Sequence, residues 1–185
     1  MDAVIGIGGG TNSGKTTLCK TIAEDFPGCF IFNQDKYFKT IEEAKLSFLD
    51  CDINWEKCEA LNMDDLVKDV KGKINEKRYR IIIVEGHLVL NYPPLVELFD
   101  VTVFITLNYD LAFKRRLTRT YDPPDSPEYF ENVVWPGYLS ILNEVSNVLH
   151  FKSRPIFLDA TDPNNCYCSI YDLVKSYLSE DIKNY

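Results

Sequence analysis

The sequence predicts an α/β fold in which an open parallel sheet carries helices on both faces. Three observations carry that expectation. Short apolar runs alternate along the chain with segments whose apolar residues recur at helical spacing. Residues 80–86, RIIIVEG, are a continuous β-branched run, which suits a strand covered on both sides. The first apolar run, AVIGIG at 3–8, passes into the glycine-rich stretch GGTNSGKTT at 9–17 just where a helical pattern begins.

Taken in order, 3–8 is a buried strand and 15–25 (KTTLCKTIAED) a helix. Residues 29–33 (CFIFN) form the second strand, and 59–71 (EALNMDDLVKDVK) a helix by apolar spacing. The third and fourth strands are 80–86 and DVTVFITL at 100–107. Helices follow at 110–121 (DLAFKRRLTRTY) and 137–149 (GYLSILNEVSNVL), then a last strand at 155–160 (PIFLDA) and a last helix at 167–182. A chain of 185 residues suits one domain, 1–185. Ligands on such sheets sit at the carboxyl ends of the strands, which selects the polar residues to examine.

Composition narrows the function classes. Hydrophobic residues at 45% and charged residues at 26% are enough for a packed core and argue against disorder. No apolar run approaches the roughly 18–20 residues of a membrane span. No basic leader precedes the first apolar run, so that run is expected to be a strand and not a signal peptide, and the setting cytoplasmic, or nuclear. A net charge of −8 disfavours a broad nucleic-acid surface. The six cysteines are expected to be reduced thiols; Cys166-Tyr167-Cys168 lacks partner ligands for a metal. A compact acidic domain without an apolar surface helix is expected to be a monomer.

Gly9-Gly10-Thr11-Asn12-Ser13-Gly14-Lys15-Thr16 fits G-x-x-x-x-G-K-[ST] in full, with a strand before it and a helix after, and Thr17 follows. The glycines let backbone N–H groups turn inward around phosphate oxygens, and the helix start adds its positive dipole end. Lys15 is expected to reach the outer phosphates and Thr16 to ligate Mg²⁺. A plain glycine-rich turn would account for the glycines but not for the Lys-Thr pair. The chain is therefore expected to bind a nucleoside triphosphate.

Candidates for the receiving side come from the other strand ends. Asp35, in NQDKYF, would orient an acceptor hydroxyl and take its proton, or serve as a loop cap. Glu85 closes the third strand and would give a second Mg²⁺ contact, or be a turn residue. In KRRLTR, Arg115 and Arg119 are four apart and share a helix face, and Arg116 and Arg119 are three apart. Such a run meets a triphosphate, forms a solvated basic face, or binds nucleic acid; the overall acidity disfavours the last. The following Tyr121-Asp122-Pro123-Pro124-Asp125-Ser126-Pro127 is too proline-rich for helix and is read as a stiff lid, about 115–130, or a surface turn.

Together GGTNSGKTT, NQDKYF, WEKCEALNM, VEGHLVLNY, KRRLTRTYDPPDSPEYF and VVWPGY resemble the nicotinamide riboside kinases, which group with the uridine kinases among P-loop small-molecule kinases. The resemblance runs from about residue 3 to residue 161 and is most specific in RTYDPPDSPEYF and WPGY. It implies a P-loop NTPase fold of the nucleoside monophosphate kinase type, with a five-stranded parallel sheet and a short lid. It implies transfer of the ATP γ-phosphate to the 5′-hydroxyl of nicotinamide riboside, and of nicotinic acid riboside, for NAD synthesis. Asp35 would be the base, Trp55 and Tyr121 would stack on the pyridine ring, and Glu56 and Arg116 would hold the ribose hydroxyls. Arg115 and Arg119 would lie near the phosphates and adenine, Glu85 near Mg²⁺, and adenine near the segment after Leu158-Asp159-Ala160-Thr161. Without the resemblance, Trp55 and Tyr121 are equally core residues. The family has Asp where this chain has Glu56, which leaves Asp50 and Asp52 as alternatives, and an apolar residue is expected where His87 stands. His87 and His150 are read as structural or peripheral.

Overall fold

A computed structural model describes residues 1–48, 53–120, 126–147, 152 and 154–179. Five strands, β1 (Ala3–Gly9), β2 (Cys29–Asn33), β3 (Ile81–Glu85), β4 (Val101–Thr106) and β5 (Ile156–Asp159), form one parallel sheet in the order β2-β3-β1-β4-β5. Every residue of β1 and β3 is buried, which is what the continuous apolar runs encode. The register places Glu85 of β3 beside Ile7 of β1 on one side and Asn33 of β2 on the other. The loops after these three strands therefore open onto one edge of the sheet.

The helices are α1 (Lys15–Asp25), α2 (Ile41–Ser47), α3 (Met63–Asn75), α4 (Pro93–Val96), α5 (Tyr109–Arg116), α6 (Pro127–Tyr129), α7 (Trp135–Asn147) and α8 (Pro163–Ser179). The apolar side chains of α3 (Leu66, Val67, Val70) and of α7 (Tyr138, Ile141, Val145) pack into the core with the strands. A π-helical turn at Phe130–Val134 joins α6 to α7.

Several expected boundaries move. The helix placed at 59–71 begins at Met63, because Cys58–Ala60 is a 3₁₀ turn and Leu61 pairs in an antiparallel bridge with Phe38. The helix placed at 110–121 ends at Arg116. Thr118 N–H and Arg119 N–H donate to the carbonyls of Arg115 and Arg116, and the Thr118 hydroxyl also donates to Arg115 O, which tightens the last turn and stops the helix. Arg119 is therefore not on the helix face of Arg115. Pro127, expected in a non-helical loop, stands at the first position of α6 behind the Ser126 cap, where its missing N–H is no loss. Residues 121–125 lie outside the described residues. The helix α2 was not expected at all; it starts with Thr40 and Glu43 in a reciprocal capping box.

Phe99, among the largest fully buried side chains, packs its ring against β1 where Gly6 stands. A Cβ at position 6 would come within 2.4 Å of the Phe99 ring. Gly6→Ala is expected to destabilise the fold by about 1–3 kcal/mol, seen as a lower urea midpoint at unchanged m-value.

Candidate active site

The loop from Gly9 to Thr16 leaves β1 and turns into α1. Its turn depends on left-handed backbone at Gly14 (φ 90°), where an added Cβ would meet open space. Gly14 caps α1 with no side-chain hydrogen bond, and the first turn of α1 holds no acid. The uncapped N–H groups of that helix start are thus left to an anion. Lys15 is buried, and its Nζ donates to the carbonyls of Gly9 (3.0 Å) and Gly10 (2.8 Å). Burial pulls its ammonium below the ordinary lysine value, while Glu85, then Asp35, and more weakly Glu56, push it back up.

The Thr16 hydroxyl donates to Glu85 Oε1 at 2.8 Å. Glu85 is 2% exposed. Burial raises its pKa, against the opposing pull of Lys15 and the Thr16 hydrogen bond. A hydroxyl and a buried carboxylate side by side under the phosphate loop are oxygen donors suited to Mg²⁺. Among the described residues no cluster of three or more His, Cys, Asp or Glu forms a metal cage. Mg²⁺ takes few protein ligands when phosphates supply the rest, so two oxygens here fit it.

Three arginines close over the loop from the α5 side. Arg115 Nη1 donates to Asn12 O (3.1 Å), Arg116 Nη1 to Thr11 Oγ1 (3.1 Å), and Arg119 Nη1 to Asn12 Oδ1 (2.8 Å). The shared helix face expected for Arg115 and Arg119 is absent. Both still reach Asn12, because the turn after Arg116 brings Arg119 round. Arg116 is buried, with its guanidinium 5.8 Å from the centroid of the Phe130 ring. Ser13 is buried in the same loop, and Thr17 is exposed on α1.

Asp35 follows β2 in a 3₁₀ turn whose start is set by the Asn33 side chain, which accepts from Asp35 N–H at 2.7 Å. No described residue donates to its exposed carboxylate, though that charge acts on both Lys15 and Glu85. Its neighbour Gln34 is fully buried and takes Leu88 N–H on Oε1 (3.1 Å) while its amide faces Met63 Sδ (3.3 Å). Gln34 thus ties the end of β2 to the loop after β3, a bracing role that no short-range pattern announces.

Trp55 is half-buried and meets Phe38 edge-on, with centroids 5.8 Å apart. Glu56 N–H donates to Asn54 Oδ1 at 2.9 Å. Opposite them stands His87, whose Nε2 lies 3.3 Å from Trp55 O and 4.0 Å from Glu56 Oε2. His87, expected to be structural or peripheral, thus stands against Trp55 and Glu56. Tyr121, Asp50, Asp52 and His150 lie outside the described residues, and so does the side chain of Cys166. Cys168 is an exposed free thiol. No described helix is long and apolar enough to cross a membrane.

Comparison with known proteins places the chain among relatives. The family model of an AAA domain matches residues 5–136. The human protein named nicotinamide riboside kinase 1 is 34% identical over 186 residues, covering 91% of this chain and 90% of that one. The uridine kinase of Borrelia hermsii is 29% identical over 142 residues, covering 64% of this chain. Among solved structures, a sugar kinase from Janibacter sp. HTCC2649 matches with a TM-score of 0.63 at 15% identity, covering 96% of this chain and 95% of that one, a likeness of fold.

Proposed function

The chain belongs to the nicotinamide riboside kinase family and carries a P-loop domain of the AAA type, and we infer that it transfers the γ-phosphate of ATP to the 5′-hydroxyl of nicotinamide riboside, and of nicotinic acid riboside. The observation that supports this reading best is a convergence of charge. Against the lowering by burial, Glu85, then Asp35, and more weakly Glu56 raise the Lys15 pKa, and Asp35 and Glu85 stand at the ends of β2 and β3, the strands next to β1, whose end carries the phosphate loop. A nucleotide-binding switch needs only the phosphate loop. The uridine kinase relative covers a smaller part of the chain than the human riboside kinase does.

In this reading the loop N–H groups, Lys15, Arg115 and Arg119 hold the triphosphate and offset charge on the phosphoryl group as it moves. Asp35 takes the proton of the 5′-hydroxyl as its oxygen bonds to the γ-phosphorus and the bond to the β-phosphate oxygen breaks. The product pair is the mononucleotide and ADP. Thr16 and Glu85 would hold Mg²⁺, which when bound would offset negative charge on the phosphates. Trp55 and Tyr121 stack on the ring, and Glu56 with Arg116 holds the ribose. The ring of nicotinamide riboside is a cation, and an aromatic face attracts it by roughly 0.5–2 kcal/mol.

A substrate panel with ATP and Mg²⁺ tests the reading. Nicotinamide riboside is expected to be phosphorylated well and uridine poorly. Trp55→Ala is expected to raise KM for nicotinamide riboside by about 2- to 30-fold, the cation–π range expressed as affinity, with KM for ATP unchanged. Preference for uridine would overturn the riboside reading and leave the kinase reading in place.

A further inference from the structure

His87 has no task in the reading above, yet it touches the two residues given to the riboside. It follows Glu85-Gly86 directly and so leaves β3 on the ligand edge. Its ring stacks on Phe38 with centroids 5.9 Å apart and planes 23° apart. Its Nε2 faces two acceptors, Trp55 O at 3.3 Å and Glu56 Oε2 at 4.0 Å. With acceptors alone on that side, Nε2 carries the hydrogen, donates to the Trp55 carbonyl and presents positive charge density to the Glu56 carboxylate. The side chains of His87 and Glu56 are each 13% exposed.

Glu56 is gripped from two further directions. Its N–H is fixed by Asn54 Oδ1 at 2.9 Å. Its stem lies against Gly137 of α7, where an added Cβ would come within 3.0 Å of Glu56 Cβ and 3.3 Å of Cγ. A glutamate arm has rotamer freedom to lose when it binds a diol. Ordering that arm in the free protein removes the loss from the binding step.

We propose that His87 is a positioning residue for riboside uptake: it holds the Trp55 backbone and the Glu56 carboxylate in their binding geometry, while Gly137 leaves room for the glutamate stem. This rests on the reading of Trp55 and Glu56 as riboside contacts. The role concerns binding of the acceptor and not phosphate chemistry, which this reading gives to Lys15 and Asp35. Its signature is therefore a change in riboside KM separated from kcat and from KM for ATP.

The test is steady-state kinetics with nicotinamide riboside on the wild type, H87F, H87Q, E56Q and H87F/E56Q, with a melting temperature for each. H87F keeps an aromatic ring against Phe38, so the fold is expected to persist. Riboside KM is expected to rise about two- to tenfold in H87F, the scale of a single neutral hydrogen bond, with kcat and KM for ATP nearly unchanged. H87Q, which restores an N–H donor, is expected to recover most of the loss. H87F is expected to add less on top of E56Q than it does alone. An unchanged riboside KM in H87F overturns the proposal, as does a loss spread equally over kcat, both KM values and the melting temperature. A raised KM that H87Q fails to lower overturns the donor role. A wild-type chain inactive on nicotinamide riboside overturns the functional reading and the proposal with it; an active wild type with an indifferent H87F overturns the proposal alone.

Discussion

Asp35→Asn is expected to lower kcat by about 10²- to 10⁴-fold, the range of a positioned general base, and to leave ATP affinity and melting temperature unchanged. The backbone N–H of Asp35 caps onto Asn33, and that bond survives the substitution. The carboxylate is exposed and takes no hydrogen bond from a described residue, so its loss breaks no internal contact. Its charge nevertheless raises the pKa of both Lys15 and Glu85, and it stands just past β2, next to the strand that ends in Glu85. Phosphoryl transfer passes through a loose transition state in which the acceptor oxygen is little deprotonated until late, so positioning of the hydroxyl is part of the same loss. Single-turnover kinetics with saturating ATP and nicotinamide riboside separates this from binding. An Asp35→Asn chain with near-normal single-turnover rate would remove Asp35 from the chemistry and leave it as a cap.

The strands were legible because a sheet buried on both faces needs unbroken apolar runs, and Ile81–Glu85 is one. The phosphate loop was legible because its residues are consecutive. Glu85 followed from the strand-end rule, and the register beside Ile7 and Asn33 accounts for its place. The end of α5 was missed because a threonine hydroxyl turning back onto Arg115 O decides it, and Arg and Leu continue a helix as readily as they end one. The start of α2 was legible after all, in the T-x-x-E spacing of Thr40 and Glu43, which the apolar periodicity alone passed over. His87, Gln34 and Gly137 could not be found from local pattern. Their partners are Glu56, Leu88 and again Glu56, which come from distant segments and meet only when the sheet brings the strand ends together.

Lys15→Met is expected to lower kcat/KM for ATP by at least about 10²- to 10³-fold, the loss of one aligned donor to a charged transition state. The pH behaviour identifies the group independently of the size of that loss. Burial pulls the Lys15 ammonium below its ordinary 10.5, only partly offset by Glu85 and Asp35. Phosphate binding needs the ammonium. As pH rises through the lowered pKa the charge disappears, so ATP affinity falls on an alkaline limb that lies below 10.5. Stability runs the other way. In the window between the lowered value and 10.5 the unfolded chain binds more protons at this position than the folded one, so folding strengthens with rising pH. Below that window the charged amine is buried at a penalty, and ATP supplies the anion that relieves it. Wild type minus Lys15→Met, measured as urea midpoint against pH and as ATP association constant against pH, cancels every other lysine. The two difference curves are expected to have opposite slopes over one shared pH interval. Curves that are flat, or that bend in different intervals, would mean that the buried ammonium of Lys15 is not the group that meets the triphosphate.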